Sequence, residues 1–573
     1  MDDDQGNQAN EGNPSTPESV TPPAVPSSQP SPPVTPSNET PAPSVTPRVE
    51  TPLTVSEPVI PSPAKSHRWI TVVIIVVIIA LLGGGAYAAY HFSRPKKQAV
   101  TTSAKKEVPL VRVGIQDLLS SSFYPDGQDE SGFAEVNRQV FEGLTGIQDN
   151  TKIVPLLATS WTTPTDTTWI FHLRKDVYFH DGHLMTAGLV KASLDSAHDG
   201  AYWQTFGSHI DSVAVVDPNT IKITTDGPDP LLTIELANLW IYDTTSGKDN
   251  DAINGTGPYA LKPGSQPSDQ SVKLTAYDKY WGGRALTREV DFSILDNDEA
   301  AAAAIKAGKL DLANFHSYSA IKALGSAYKQ QTVISPQVTF FVPNVLDTSS
   351  PLSKLGVRQA VYAALDPAAL SAAQGDQGTP IGQIVPQEIP GYDASLKPNS
   401  PNITKAKQLL AAAGYPNGFT IKLTHYYTSS NLEAELQKEW AKIGVTVVDD
   451  SYTDGEALQD DAYNGKTQLF YNSYSSDLLD TNDVVSGMLL QGKNYDNPSL
   501  TALSNQAATE LNATKRLKLL QQENQMVMKD LALFPLYQRN STPFAYAASK
   551  GLVMKQEITN TSTGLYYNEV YRK

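Results

Sequence analysis

His172, His180 and His183 lie close together around Asp181-Gly182, and with the aspartate they offer the nitrogen and oxygen donors that a divalent metal takes. A closed metal centre needs a fourth ligand, none is apparent, and no metal is expected. Gly465-Lys466-Thr467 has the ending of a phosphate loop, but the position five before Gly465 is Asp460 instead of the required glycine. Gly255-Thr256-Gly257-Pro258-Tyr259-Ala260 fits the spacing of a dinucleotide fingerprint. Pro258, with Pro263 and Gly264 close behind, opposes the helix that such a fingerprint must open. Neither His-Glu-x-x-His nor Gly-x-Ser-x-Gly occurs. With no cysteine, the chain has no thiol nucleophile, thiolate ligand or disulfide. Paired carboxylates of the glycosidase kind stay open, because aspartate and glutamate occur throughout.

The histidines belong to a recognisable local pattern. Trp169, Phe171 and Leu173 alternate with Thr168, Ile170 and His172, the period of a strand with one face on a core, and Val177 and Phe179 repeat it. Asp181-Gly182 supplies a turn. Thr186 can cap a helix whose apolar face runs Leu189, Val190, Ser193, Leu194 and Ala197. Elsewhere Leu110–Ile115 reads as a strand, Glu135–Leu144 as a short helix ending at Gly143, and Asp217–Thr225 as β-rich. Glu299–Ala307 reads as an alanine-rich helix stopped by Gly308, and Lys405–Ala413 as an amphipathic helix with Gly414 as its C-cap. Leu432–Trp440 leads through Ile443-Gly444-Val445 into another strand. From pattern alone this is an α/β protein of no particular kind.

At 573 residues the chain exceeds one ordinary core, and its composition shows where to divide it. Residues 1–64 hold 16 of the 40 prolines, eight acidic side chains and a single base, Arg48. Such a segment cannot bury enough apolar surface to offset chain entropy, and a disordered acidic tail is expected. Ile70–Tyr90 carries no charge over 21 residues, and as a helix it would span roughly 30 Å of hydrocarbon. One membrane crossing is expected over 69–91, with Trp69, Tyr87 and Tyr90 at the interfaces and a basic linker at 92–109. The long tail ahead of it argues against a cleaved signal peptide, despite the small-x-small look of Ala86-Tyr87-Ala88. Lys65 and Arg68 precede the span while Arg94, Lys96, Lys97, Lys105 and Lys106 follow it, so charge bias alone would leave the large carboxyl-terminal part inside. The tail holds −7 of the net −16, and no basic face for nucleic acid is expected on the rest.

A dozen short segments in order carry a family resemblance. They include Glu142-Gly143-Leu144, Pro155-Leu156-Leu157-Ala158 with Trp161, Phe171-His172-Leu173-Arg174, Phe179-His180-Asp181-Gly182 and Thr186-Ala187. Gly255-Thr256-Gly257-Pro258-Tyr259, Tyr277–Gly283, Gly308–Asp311, Val357-Arg358-Gln359-Ala360 and Pro535-Leu536-Tyr537 follow. Together they resemble the family 5 extracellular solute-binding proteins, the peptide receptors of ABC importers. The resemblance implies a two-lobed, periplasmic-binding-protein-like α/β fold of type II with an extra domain. A central lobe would run over 108–148, 253–345 and 536–573, a small lobe over 149–252, and a distal lobe over 346–535.

The same resemblance implies a receptor with no catalytic residues and no cofactor. It would be a monomer that captures oligopeptides outside the cell and passes them to permease subunits. Tyr474-Ser475-Ser476-Asp477-Leu478-Leu479-Asp480-Thr481 resembles the family's Trp-x-x-Asp-x-x-Asp-Pro segment, whose first aspartate pairs with the peptide amine. Asp477 would take that role, beside Tyr474 in place of tryptophan and with Thr481 in place of proline. Phe340, Phe341 and Asn344, on the strand at the lobe crossover, would offer backbone contacts, although core packing explains either aromatic as simply. No arginine lies near Tyr471 to clamp a ligand carboxylate. Orientation with the large part outside follows from the family reading, against the charge bias. Alternatives are another family 5 solute (a nickel chelate, an opine or a sugar), a peptide sensor signalling through the acidic tail, and a hydrolase on a similar fold.

Overall fold

A computed structural model describes residues 105–116, 133–148, 151–198, 203, 206–246, 253–265, 270–375, 378–426, 430–554 and 567–572, all within the unit Ala99–Lys573. The acidic tail, the apolar stretch Ile70–Tyr90 and most of the basic linker lie outside the described residues. Among the described residues no helix is long and apolar enough to cross a membrane.

The first strand, β1 (Val111–Ile115), buries Val111, Val113 and Ile115. A hairpin of β2 (Thr145–Gln148) and β3 (Lys152–Pro155) follows the helix Phe133–Val140. A four-stranded antiparallel sheet comes next, made of β4 (Ala158–Thr165), β5 (Thr168–Leu173), β6 (Ile210–Asp217) and β7 (Thr220–Thr225) in the order β4-β5-β7-β6. Burial along β5 follows the sequence alternation, with Trp169, Phe171 and Leu173 inward and His172 exposed. Gly182 sits at φ +95°, where a side chain would be strained, and this places the turn after Phe179. Helix Ala187–Ala197 is capped by Thr186, which accepts from Leu189 N at 3.4 Å, and it buries Val190, Ser193, Leu194 and Ala197. These elements close one core, running from Leu144 to Ile241.

The remaining strands share one large sheet. They are β8 (Tyr259–Leu261), β9 (Ser271–Ala276), β10 (Glu289–Ile294), β11 (Leu312–Asn314), β12 (Tyr328–Pro343), β13 (Thr379–Pro380), β14 (Thr420–Tyr426), β15 (Thr446–Tyr452), β16 (Leu469–Tyr474) and β17 (Phe534–Ala547). With β1 they run β15-β14-β16-β12-β17-β11-β1-β10-β9-β8, and β13 also pairs with β17. The two long strands, β12 and β17, are antiparallel partners that join one group (β1 and β8–β11) to another (β14–β16). Their pairing shifts register between Thr332 and Ile334, between Ile334 and Val338, and between Thr339 and Phe340, irregularities that bend and twist a ladder.

Helix ends largely follow their local chemistry. Helix Asp298–Lys306 is capped by Asn297, with Gly308 past its end at φ +69°. Helix Ile403–Ala412 is followed by Gly414 at φ +92°. The segment read as a helix to Gly143 departs from this, because the helix stops at Val140. Glu142 pairs instead with Ile241, and Gly143 lies so near the backbone of Leu236 that an added Cβ would sit 2.3 Å from its carbonyl oxygen. Close backbone contact, and not helix termination, requires that glycine.

Candidate ligand-binding site

Several of the family-like segments meet at one buried carboxylate. Glu142 accepts from Thr256 Oγ1 at 2.9 Å, Tyr280 OH at 2.7 Å and Trp281 Nε1 at 2.9 Å. The Arg174 guanidinium stacks 3.9 Å over the Trp281 ring, and its Nε donates to Leu156 O at 2.6 Å. Burial pushes the Glu142 carboxyl up to about 7, against the lowering effect of its donors. The glycines of the Gly-Thr-Gly segment serve the same junction. A Cβ on Gly255 would lie 2.0 Å from Val140 O, and one on Gly257 would lie 2.6 Å from Gln139 O. They admit another backbone, not a pyrophosphate, and a strand (β8), not a helix, follows.

The histidine cluster divides. His180 Nε2 donates to Gly257 O at 3.0 Å while Nδ1 accepts from Gly255 N at 3.3 Å, and burial pushes its pKa down to about 4. A ring spent on two backbone groups is not a metal ligand, and His172 bonds Thr220 instead. His183 Nδ1 lies 3.0 Å from both Asp181 Oδ2 and the buried Asp243 Oδ2, and these three could supply ligand atoms within 4.8 Å of one another. As placed, Nδ1 hydrogen-bonds Asp243 with Asp181 as a charged neighbour, and their influence, Asp243 first, raises the imidazole pKa. Gly465, at φ +71°, turns the chain between helix Gly455–Tyr463 and β16, with its carbonyl held by Asn344 Nδ2 at 2.8 Å. It forms no phosphate cradle.

The segment containing Asp477 leaves the end of β16, an interior strand between β12 and β14. Tyr474 is the last residue of that strand, and its hydroxyl donates to Asp483 Oδ1 at 3.2 Å. Ser476 Oγ accepts from Asp480 N at 2.7 Å and donates to Asp483 Oδ2 at 2.9 Å, while Leu478 N donates to the same oxygen at 3.3 Å. Burial raises the Asp483 carboxyl, and burial together with Asp483 raises the Tyr474 phenol. Asp477 lies half-buried at the crest of this turn. The adjacent Leu478 packs against the Leu144–Ile241 core, so the turn stands at the seam between that core and the β14–β16 region. Thr481, standing where the family has proline, donates to Pro390 O at 2.6 Å and ties the turn down by a different bond.

The structure places the other three expected contact residues in structural positions. Phe340 and Phe341 point to opposite faces of β12 and are fully buried, one with Leu479 and Val485, the other with Trp440 and Tyr537. Their stretch of β12 is laddered to β16 on one side and β17 on the other, and both rings serve the core. Asn344 is buried, with its oxygen accepting from Leu346 N and Asp347 N at 3.1 Å each and its amide on Gly465. These are turn and core roles, as burial on both faces of a central strand demands. Sequence reasoning missed Ser476, Asp483 and Arg516, whose partners lie across the turn or on another helix. Of these, Ser476 within the motif and Asp483 just beyond it carried a local signal, and Arg516 carried none.

The family described as bacterial extracellular solute-binding proteins, family 5 (middle region), matches residues 152–496. The glutathione-binding protein GsiB of Escherichia coli (strain K12) is 28% identical over 361 residues, covering 60% of this chain and 70% of GsiB. Among solved structures, the ABC transporter-associated periplasmic binding protein DppA of Helicobacter pylori, in complex with the peptide STSA, is 22% identical with a TM-score of 0.64. That match covers 82% of this chain and 98% of DppA. The ABC transporter substrate-binding protein CtaP of Listeria monocytogenes is 19% identical with a TM-score of 0.72, covering 82% of this chain and all of CtaP. These likenesses show a two-lobed, periplasmic-binding-protein-like α/β fold. With a family match over most of its length, the chain belongs to the family 5 bacterial extracellular solute-binding proteins.

Proposed function

We propose that this protein captures oligopeptides outside the cell and hands them to the permease subunits of an ABC importer, held at the surface by a single membrane helix over Ile70–Tyr90. The observation that carries the reading is the Asp477 turn. A carboxylate stands half-buried where the Leu144–Ile241 core meets the β14–β16 region, on a loop bonded to the end of an interior strand. A peptide α-ammonium leaving water needs a fixed anion, and Asp477 supplies one, with Tyr474 forming the adjacent wall. The relatives GsiB and DppA, which bind glutathione and a tetrapeptide, support a peptide as the solute.

Capture would proceed by hinge closure. The lobes would be 108–148 with 253–345 and 536–573, then 149–252, and 346–535, with β12 and β17 as the crossing strands between groups. A ligand shifts such an equilibrium only by binding the closed form better, and a peptide touching Asp477 on one side and the 149–252 segment on the other does this. No bond is made or broken. The large part would lie outside, since a receptor of this family acts on external solute, even though five basic residues follow the span and two precede it. Mass spectrometry of solute retained by the purified protein tests the reading, with a peptide expected and a non-peptide solute overturning it. Protease shaving of intact cells should remove the large part, and its protection would overturn the orientation.

A further inference from the structure

Resting on the assignment of Asp477 to the ammonium, we infer that Arg516 is a positioning residue for ligand capture, holding through Asp480 the turn that presents Asp477. Arg516 lies 36 residues beyond Asp480, on helix Ala513–Asp530, and both are buried, at 7% and 1% exposure. Its Nη1 bonds Asp480 Oδ2, and its Nε donates to Ala507 O at 2.9 Å in the last turn of helix Pro498–Thr509. One rigid guanidinium therefore joins two helices and the turn, which a lysine ammonium lacks the planar fork to reproduce.

From Asp480 the restraint runs back along the turn. Its other oxygen accepts from Asn482 N at 2.8 Å, and its own N–H goes to Ser476 Oγ. Ser476 in turn reaches Asp483, which also holds Leu478 N and Tyr474 OH. Asp477 thus sits between two anchored neighbours, Ser476 and Leu478. The turn needs such restraint because Leu479 adopts φ +50° while its side chain is fully buried, a left-handed conformation that non-glycine residues hold only when their surroundings force it. Glu523 is the third ionisable group at this junction, fully buried, with neither carboxylate oxygen hydrogen-bonded. Burial first, and Asp480 second, push it up to about 8, so at neutral pH it is held protonated and leaves Arg516 to Asp480.

Two measurements on the full chain, wild type beside Arg516→Met and Arg516→Lys, test the inference. Amide hydrogen exchange should quicken about tenfold or more over 476–483 in Arg516→Met, less in Arg516→Lys, with β14 and β16 unchanged. Unchanged protection of the turn, or loss of protection throughout the fold, would overturn the positioning role. Capture from an equimolar pool of tripeptides and their N-acetylated forms, read by mass spectrometry, should favour free amines in wild type by about tenfold or more. That preference should fall toward parity in Arg516→Met and be partly kept in Arg516→Lys. A wild-type preference that survives intact in Arg516→Met overturns the inference. Parity, or no capture at all, in wild type overturns the Asp477 reading instead, while the exchange result still decides whether Arg516 holds the turn. Should Arg516→Met fail to fold, Arg516→Lys carries both measurements.

Discussion

Glu142 and Asp480 are both buried carboxylates that join segments far apart in sequence, yet the protein answers their charges in different ways. Glu142 meets three neutral donors, Thr256, Tyr280 and Trp281, with Arg174 behind the tryptophan ring. Asp480 meets an arginine directly and caps a short helix with its other oxygen. A carboxylate held by neutral donors can take up a proton and stay bonded, whereas one matched to a buried cation cannot be removed without stranding that cation. The first arrangement suits a permanent brace between sheet segments. The second suits a turn whose geometry matters and whose backbone is strained.

Removing Asp480 should therefore cost most. Asp480→Ala leaves the Arg516 charge buried and unpaired, and a loss of about 3–5 kcal/mol is expected from urea unfolding. Glu142→Gln keeps one acceptor for three donors and should cost about 1–2 kcal/mol at neutral pH. Equal losses in the two variants would break the comparison, and a larger loss at Glu142 would reverse it.

The same contrast has a pH signature. With its carboxyl at about 7 instead of the ordinary 4.5, Glu142 keeps a proton in the folded protein that the unfolded chain has released. Its stabilising contribution is complete below about 4.5 and disappears as pH climbs through 7. His180, pushed down to about 4, works the other way, because its contribution is present above the ordinary 6.5 and is lost as pH falls toward 4. Glu142→Gln should lessen the decline in stability between pH 5 and 7, to which Glu523 also contributes, and leave the His180 limb in place. An undiminished decline would place the proton elsewhere.

What the sequence disclosed depended on how local the physics was. The β5 strand, the Asp181-Gly182 turn and the Thr186-capped helix were legible because period, cap and left-handed glycine all act within a few residues. Glu142 was misread as part of a helix end, since its partners sit more than 100 residues away and nothing nearby marks it as a bridge. Phe340 and Phe341 could be assigned to a strand, but only the packing on its two faces shows that both rings belong to the core. The Asp477 turn was visible as a motif, while its anchor was not. Arg516 lies on a helix rich in lysine, and the sequence around it reads as a solvated face although its side chain is buried.

Two smaller effects sharpen the contrast at the turn. Glu523, held at about 8 by burial and by Asp480, gains a proton on folding, so its contribution is full below about 4.5 and is lost as pH rises through 8. Glu523→Gln should gain about 2 kcal/mol relative to wild type between pH 6 and pH 8.5, as read from melting at the two pH values. A variant equally affected at both would show that Glu523 does not titrate with folding.

The smallest effect on stability belongs to the residue expected to matter most for binding. Asp477 is half-buried, and Asn has nearly its volume, so Asp477→Asn should change unfolding free energy by no more than about 0.5 kcal/mol. Peptide affinity, by contrast, should fall by a factor of about ten or more in calorimetry, because an unmatched ammonium would then leave water for a neutral amide. Unchanged affinity would remove Asp477 from the site. A large loss of stability would instead make it a member of the Asp480 brace, and the distinction between a turn that is held and a residue that is presented would disappear.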